Sequence, residues 1–347
     1  MASNSRGNLP TSDLQEILLN SQVSLHKIAS ARVLVCGGSG FIGTWLTSTL
    51  LEANEKLKLN LEIVLLTRNV ENAKKSLLPR DEDPITFFEG DLSSEHNPFT
   101  GLGGSFSHII HAATPTILSK EKHEQDISYK STVLGASRLG DYSSSMASVP
   151  TLLHTSSGAV YGIQPNELQN IPEGWVNENL ATGITSYGVA KLEAERILSQ
   201  ASYSGVLKAV NPRLFTFFGP KLPLDAKYAI GNFVSDGLNN RDIVIKGNPN
   251  TRRSYMYPTD LIEWILECLT NPSLKPLHIG SSEGIYMKDL AHYVADKLGA
   301  RSVSPGNNEV VASNYVPSVT LTRSSLNVSG RVSLEDGMNR WINWLRQ

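Results

Sequence analysis

The sequence is poor in cysteine: Cys36 and Cys268 are the only two in 347 residues. Two cysteines cannot build the disulfide framework that stabilises small secreted domains, so their number fits a reducing compartment. The chain also lacks an apolar run long enough to cross a bilayer, and residues 1–30 lack the apolar stretch of a secretory signal. These absences predict a soluble, cytoplasmic protein with no membrane partner.

Neither sign of charge is in excess, because 31 basic and 33 acidic side chains leave a formal net charge of -2. The basic residues are scattered, so nothing favours nucleic acid as a partner. Histidines, cysteines and carboxylates do not cluster at metal-ligand spacing, and we predict no metal site. His108 and His111 are therefore interpreted as packing residues.

A glycine-rich turn gives the strongest positive signal. The apolar run Val33–Cys36 leads into Gly37, Gly40 and Gly43, and a helix-compatible segment follows. Gly37 suits a sharp turn, Gly40 lets a ligand approach the backbone, and Gly43 lets the helix pack on the strand. The N–H groups at the start of that helix would hold a pyrophosphate. This context predicts a dinucleotide site.

Further short apolar runs alternate with helix-compatible segments along the first half of the chain. This rhythm predicts an α/β fold with a doubly wound parallel sheet. A helix from Ser12, with a capping box between Ser12 and Gln15, is predicted before the first strand. The other predicted elements are strands at Leu61–Leu66, Ile85–Phe88, Phe106–His111 and Leu152–Thr155 and a helix over 121–146.

The second predicted strand ends in Thr67-Arg68-Asn69. In an NAD site, an acidic residue usually stands here and binds the adenosine ribose, whereas an arginine can pair with the 2′-phosphate of NADP. The absence of a carboxylate favours NADP over NAD, with Thr67 and Arg68 at the cofactor. A solvated surface arginine is the alternative interpretation of Arg68.

Tyr187 and Lys191 lie four residues apart in a helix-compatible segment, so they share one helix face. A nearby ammonium group lowers the pKa of a phenol. A phenol tuned in this way can exchange a proton with a sugar hydroxyl while a hydride moves at the same carbon. The spacing is common by chance, and its weight comes from the glycine turn and the Ser156-Ser157 strand end that precede it.

Together these motifs resemble the extended short-chain dehydrogenase/reductases, in particular the NAD(P)-dependent epimerase/dehydratase family that acts on nucleotide sugars. The resemblance implies a Rossmann-type domain over 31–212 and a smaller nucleotide-sugar lobe over 213–347, with some segments returning to the first domain. Residues 1–30 would be a helical extension. The matching motifs, in the family's order, are Gly37–Gly43, Gly90-Asp91-Leu92, His111-Ala112-Ala113, Ser157–Gly162, Tyr187 with Lys191, Arg213 with Gly219-Pro220, Asn232-Phe233, Arg253–Asp260 and His278-Ile279-Gly280.

The resemblance also implies roles for single residues. Tyr187 would be the acid/base, Lys191 would hold the nicotinamide ribose, and Ser157 would bind the reacting oxygen, with Ser156 as a less favoured substitute. Besides Tyr187 and Lys191, the implied cofactor contacts are Gly37, Gly40, Phe41, Ile42, Gly43, Thr67, Arg68, Asp91, Leu92, Ala112 and Ala113. The implied substrate contacts are Ser156, Ser157, Thr216, Asn232 and Arg253, of which Asn232 and Arg253 would bind the diphosphate.

One departure from the family narrows the reaction. Its 4,6-dehydratases and decarboxylases carry an acidic residue two places after the catalytic serine or threonine, whereas this chain has Gly158 and Ala159 there. We therefore expect hydride transfer at sugar C4, as 4-epimerisation or 4-keto reduction. The alternatives are a dehydratase with a non-standard acid and base and an inactive, cofactor-binding regulatory protein. Relatives suggest a homodimer formed through helices at 121–146 and 186–201.

Overall fold

The protein is described by a computed structural model that covers residues 5–114, 122–177, 183–224 and 228–347, without the side chains of 122–124. Its backbone divides into two compact units. The first consists of Met1–Val160, Ile184–Arg213 and Ile262–Leu277, and the second of Tyr161–Gly183, Leu214–Leu261 and His278–Gln347. The division differs from the predicted one because residues 161–183 leave the cofactor-binding part of the chain and join the second unit.

The first unit is built on a six-stranded sheet in the order β3-β2-β1-β4-β5-β7, with every neighbouring pair parallel. This is the doubly wound order, in which the chain reverses direction across the sheet between β1 and β4. The fold class predicted from the sequence is confirmed. The six strands are β1 (Arg32–Cys36), β2 (Glu62–Thr67), β3 (Ile85–Glu89), β4 (His108–His111), β5 (Thr151–His154) and β7 (Lys208–Val210).

The remaining strands are short. Within the described ranges, no helix is long and apolar enough to span a membrane. The strands are β6 (Ser156–Ser157), β8 (Arg213–Leu214), β9 (Arg252–Ser254), β10 (His278–Ile279), β11 (Gly284–Tyr286) and β12 (Asn314–Tyr315). The helices are α1 (Thr11–Asn20), α2 (Gln22–Lys27), α3 (Phe41–Leu57), α4 (Val70–Leu77), α5 (Lys122–Ser144), α6 (Ser186–Tyr203), α7 (Ala229–Leu238), α8 (Pro258–Thr270), α9 (Met287–Leu298), α10 (Thr320–Leu326) and α11 (Leu334–Leu345).

The N-terminal segment belongs to the first unit and is fixed there by both apolar and charged contacts. The predicted apolar stripe is buried, but the predicted capping box is wrong. Helix α1 begins at Thr11 after an N-cap at Pro10, and no side chain caps it. Proline has the fixed φ that suits a helix start, so the helix begins one residue before Ser12. The buried stripe consists of Leu14, Ile17, Leu18, Leu25 and Ile28.

In the second unit, β9 pairs antiparallel with β11 and parallel with β12. Helices α7 and α9 pack closely at Gly237, where a Cβ atom would come within 2.8 Å of Leu298. In the core of this unit, the Phe218 ring contacts the rings of Tyr257 and Trp341. Strand β9 carries Arg253.

Candidate active site

The glycine turn after β1 is shaped by backbone contacts. Gly37 has a φ of +89°, and a Cβ atom there would lie 2.5 Å from the backbone nitrogen of Ala113. A Cβ atom on Gly43 would lie 2.0 Å from the Gly37 carbonyl oxygen. At Gly40, by contrast, a Cβ atom would meet only the Gly37 carbonyl oxygen within 4 Å, at a normal contact distance of 3.6 Å. The turn thus combines two positions that exclude a side chain with one that does not.

Helix α3 starts directly from this turn. Gly40 is the N-cap and offers no side chain, and the first turn contains no acidic residue. Phe41 and Ile42, the first two helical residues, are partly exposed. The helix dipole favours an anion here, so the residues present fit the pyrophosphate of a dinucleotide.

Thr67 and Arg68 stand at the carboxyl end of β2, beside the end of β1 in the parallel pair. The hydroxyl of Thr67 accepts a hydrogen bond from the N–H of Asn69, and the Asn69 side chain caps α4 by accepting from Asn72. Arg68 is exposed. The loop is therefore held by its neighbours, while the Arg68 side chain reaches solvent at the edge of the sheet that carries the glycine turn.

In the loop after β3, the two residues predicted to contact adenine have side chains in different surroundings. The Asp91 carboxylate accepts hydrogen bonds from the N–H of Ser93 at 2.8 Å and from its hydroxyl at 2.7 Å. The Leu92 side chain is 4% exposed and packs in the core, and its carbonyl accepts from Arg138. Because the Leu92 side chain faces the interior, a contact of Leu92 with adenine would be made by its backbone. Asp91 and Leu92 as the adenine contacts stay a prediction.

Lys191 lies on α6 and is 1% exposed. Its Nζ donates to the carbonyl oxygen of Thr155 at 2.5 Å and to the hydroxyl of Thr114 at 2.9 Å. Burial lowers the pKa of Lys191 to about 7, against an opposing effect of the Glu195 charge. The same nitrogen is 5.7 Å from the centre of the Tyr187 ring. The structure thus brings the predicted pair together on one helix face.

The end of β4 connects the glycine turn to Lys191. Ala112 donates its N–H to the carbonyl of Cys36, and the Ala113 backbone passes directly beside Gly37. The next residue, Thr114, is the hydroxyl partner of Lys191. Sequence reasoning singled out the two alanines but missed Thr114. Its position directly after them, at a strand end, was the available signal.

Ser157 begins a tight turn, Gly158–Tyr161, that packs against the start of α6. Its side-chain oxygen accepts from the N–H of Ala159 at 3.1 Å. A Cβ atom on Gly188 would lie 2.3 Å from the Ala159 carbonyl oxygen, so only glycine permits this approach. Because Gly188 directly follows Tyr187, the contact brings the Ser157 turn next to the predicted acid/base.

The Ser156 side chain forms its hydrogen bond inside the first unit. It is 2% exposed, and its hydroxyl donates to the Glu195 carboxylate at 2.5 Å. Arg213 binds the same carboxylate through two nitrogens, at 3.0 and 2.7 Å. Because its hydroxyl is engaged inside the unit, Ser156 is the less favoured of the two serines, and its role as a substrate contact stays a prediction. Sequence reasoning gave no role to Glu195, although it lies one helical turn after Lys191.

Two histidines lie side by side below the strand ends. His111 on β4 and His154 on β5 are in register, their ring centres are 4.9 Å apart, and both are fully buried. Burial lowers the pKa of His111 to about 3 and that of His154 well below its usual value. The packing role predicted for His111 is confirmed by its burial. Across the described residues, no group of three or more His, Cys, Asp or Glu side chains could hold a metal ion.

In the second unit, Arg253 is partly buried on β9 and bonded to neutral oxygens. Its guanidinium donates to the Arg252 carbonyl at 3.0 Å and to the Ser313 carbonyl and hydroxyl at 2.7 and 2.9 Å. Burial lowers the pKa of Arg253. A cation placed among neutral acceptors retains its attraction for an anion. Thr216 and Asn232, the other predicted substrate contacts, are partly exposed in the same unit.

The sequence model of the NAD dependent epimerase/dehydratase family matches residues 33–280, which is most of the chain. The chain belongs to this family.

Individual relatives are distant. The chain is 23% identical to UDP-glucuronic acid decarboxylase 1 of Arabidopsis thaliana over 317 residues, which is 91% of this chain and 70% of that protein. An epimerase of Methanothermobacter thermautotrophicus superimposes with a TM-score of 0.78 at 18% identity, covering 95% of this chain and 96% of the other. MoeE5 in complex with UDP-glucose and NAD gives a TM-score of 0.74 at 21% identity, covering 91% and 98%. These structural likenesses show the shared fold.

Proposed function

We propose that this protein transfers a hydride at C4 of a nucleotide-activated hexose, by 4-epimerisation or by reduction of a 4-keto sugar. The observation that carries the proposal is that Tyr187, Lys191 and the Ser157 turn lie at the strand ends next to the glycine turn. A family of nucleotide-sugar enzymes supplies the substrate class.

In this reaction, Tyr187 takes the proton of the C4 hydroxyl as the C4 hydrogen leaves as hydride, and it returns the proton when a hydride adds to the 4-keto group. Ser157 donates a hydrogen bond to the same oxygen. The Lys191 ammonium stabilises the phenolate form of Tyr187. A nicotinamide cofactor supplies the hydride acceptor or donor when it is bound. Gly37, Gly40 and the start of α3 would hold its pyrophosphate.

The choice of C4 chemistry follows from the two residues after Ser157, which are Gly158 and Ala159. Dehydration or decarboxylation needs a further group that moves a proton at a neighbouring carbon, and neither Gly158 nor Ala159 can do so. The backbone of Ala159 is also in direct contact with α6 at Gly188. A carbinol oxidation and reduction at one carbon needs only Tyr187, Lys191 and Ser157.

The cofactor is proposed to be NADP(H), with Arg68 as the clamp for the 2′-phosphate. Support comes from the exposed Arg68 at the end of β2 and from the lack of a carboxylate at Thr67, Arg68 or Asn69. NAD is the competing cofactor, as it is the one bound in MoeE5. Replacing Arg68→Ala should weaken NADP binding about 10-fold and leave NAD binding within about two-fold, as measured by fluorescence titration, because only NADP offers a phosphate to the arginine. Tighter binding of NAD than NADP by the unmodified protein would overturn this assignment.

The diphosphate of the substrate is proposed to bind Arg253 with Asn232 and Thr216 nearby. The desolvated guanidinium of Arg253 is the feature that supports this, because planar N–H groups match phosphate oxygens. MoeE5 has UDP-glucose bound, which makes a uridine nucleotide the first substrate to test.

The direct test is incubation with NADPH or NADP and a panel of UDP-, dTDP-, GDP- and CDP-hexoses, including 4-keto forms, with products identified by NMR. Tyr187→Phe should lower turnover by at least about a thousand-fold and leave cofactor binding intact, since only the phenol proton is removed. The matched control is Tyr203→Phe, the same change at an exposed position of the same helix. Unchanged turnover in Tyr187→Phe, or a product that has lost water or carbon dioxide, would refute the proposal.

We further propose that two copies associate through α5 and α6. Tyr129, Leu134 and Val189 are exposed on these helices, and a hydrogen bond of 2.5 Å from Tyr129 to Glu193 holds the helices together. Sedimentation should show a dimer that Leu134→Glu dissociates; a monomer at micromolar concentration would exclude it.

A further inference from the structure

A buried network connects the strand end that carries Ser157 to the helix that carries Tyr187 and Lys191. Its centre is the Glu195 carboxylate on α6, which accepts from the Ser156 hydroxyl at 2.5 Å and from two nitrogens of Arg213 at 3.0 and 2.7 Å. All three side chains are largely shielded from solvent. A carboxylate bound by a bidentate arginine and a hydroxyl has a well-defined orientation.

The network binds Ser156, the residue directly before Ser157. Ser156 also donates its backbone N–H to the Pro212 carbonyl at 3.0 Å. Successive residues of a strand alternate between its two faces, so we expect the Ser157 hydroxyl on the face opposite to Glu195.

The same carboxylate acts on the helix. Glu195 lies one turn after Lys191, which places the two side chains on the same face of α6. The carboxylate charge favours the ammonium form of Lys191, against the effect of burial. Lys191 in turn holds the Thr155 carbonyl at 2.5 Å, one residue before Ser156. The segment Thr155–Ser157 is therefore fastened to α6 at two successive residues.

We propose that Glu195 is a positioning residue for the reaction: through Ser156 and Arg213 it holds the Ser157 hydroxyl in register with Tyr187. The inference rests on the proposed function, since it assigns Glu195 to the geometry of that reaction. Glu195 does not touch the substrate. Its effect passes through Ser157, and this sets it apart from a residue that only stabilises the fold.

The test is a double-mutant cycle in the full-length protein, using the nucleotide sugar that the panel identifies. Ser156→Ala removes one hydroxyl from the network and should lower kcat about 10-fold with KM and cofactor affinity within about two-fold, because a small displacement of a catalytic group costs rate rather than binding. In a Ser157→Ala background, the same Ser156→Ala change should lower kcat by less than about two-fold, because the group it positions is already absent.

Glu195→Gln should lower kcat further than Ser156→Ala and should also lose most of its effect in the Ser157→Ala background. The matched control is Glu193→Gln, which removes the same charge from the same helix but contacts Tyr129 instead. Its kcat should stay within about two-fold of the unmodified protein. If Glu195→Gln does not fold, because it leaves Arg213 buried without a carboxylate, Ser156→Ala still decides the question.

The outcomes separate the two proposals. Equal losses of kcat in the Ser157 and Ser157→Ala backgrounds would mean that the network is merely structural and would overturn the role of Glu195 while leaving the reaction intact. An unmodified protein without turnover on any nucleotide sugar would overturn the proposed function, and the positioning role with it. A Ser156→Ala effect that vanishes in the Ser157→Ala background would support both.

Discussion

Two buried cations in the first unit have opposite surroundings and opposite pKa shifts. Arg6, in the N-terminal segment, is 2% exposed and pairs with three carboxylates: Glu52 at 3.0 Å, Glu55 at 2.7 Å and Asp83. Burial alone would lower the pKa of Arg6, but these carboxylates raise it above its usual value. Lys191 is equally buried, yet its hydrogen bonds go to two neutral oxygens, and burial lowers its pKa to about 7.

The difference indicates what each cation does. A buried cation surrounded by carboxylates is held in one charge state and fastens one segment to another, here residues 5–28 to α3. A buried cation among neutral oxygens can change its charge state, and it can interact with a ligand or with a neighbouring side chain. Perturbed pKa values of the second kind cluster at functional sites. Three experiments test this contrast between Arg6 and Lys191.

The largest effect should come from Arg6→Met. Removing the cation leaves Glu52 and Asp83 buried and unpaired, so the free energy of unfolding should fall by about 3–5 kcal/mol. Urea denaturation measures it, and kcat of the folded enzyme should not change. Arg80→Met is the matched control, because Arg80 pairs with Glu55 at a more exposed position and should cost less than about 1 kcal/mol. A loss below about 1 kcal/mol in Arg6→Met would contradict the structural role.

Lys191→Met should have the reverse effect of Arg6→Met, with a large loss of kcat and no loss of stability. Loss of the ammonium that stabilises the Tyr187 phenolate should lower kcat by about 10²–10³-fold. The free energy of unfolding at pH 7 should not fall, since a costly buried amine is replaced by an apolar chain of similar length. Steady-state kinetics and urea denaturation of the same preparation decide the matter. A variant that keeps its kcat but unfolds more easily would place Lys191 in the same class as Arg6.

The smallest effect concerns pH. Because the pKa of Lys191 is about 7 in the folded protein and ordinary when unfolded, only the unfolded chain carries this proton between about pH 7 and pH 10. The contribution of Lys191 to stability therefore rises with pH in this window, by up to about 1.4 kcal/mol per unit. The stability of Lys191→Met relative to the unmodified protein should fall as pH rises from 7 to 9. A difference that does not vary with pH would show that Lys191 titrates normally.

Comparison of sequence and structure shows which features are local. The strand, glycine turn and helix from Val33 onward follow from apolar runs and from conformations that glycine adopts easily. The pairing of Tyr187 with Lys191 follows from the helical repeat alone. The predicted capping box at Ser12 fails for an equally local reason, since Pro10 starts the helix earlier.

The amino-acid sequence alone is enough to predict the parallel sheet, the glycine turn and the shared helix face of Tyr187 and Lys191, because each depends on residues close together in the chain. The different surroundings of Ser156 and Ser157 follow from the tertiary structure. Adjacent strand residues face opposite sides, and which side holds Glu195 and Arg213 depends on contacts between distant segments. For the same reason, the sequence did not predict the hydrogen bond between Thr114 and Lys191 or the carboxylates around Arg6. In both cases the partners are many residues apart in the chain, so no local sequence pattern indicates the contact.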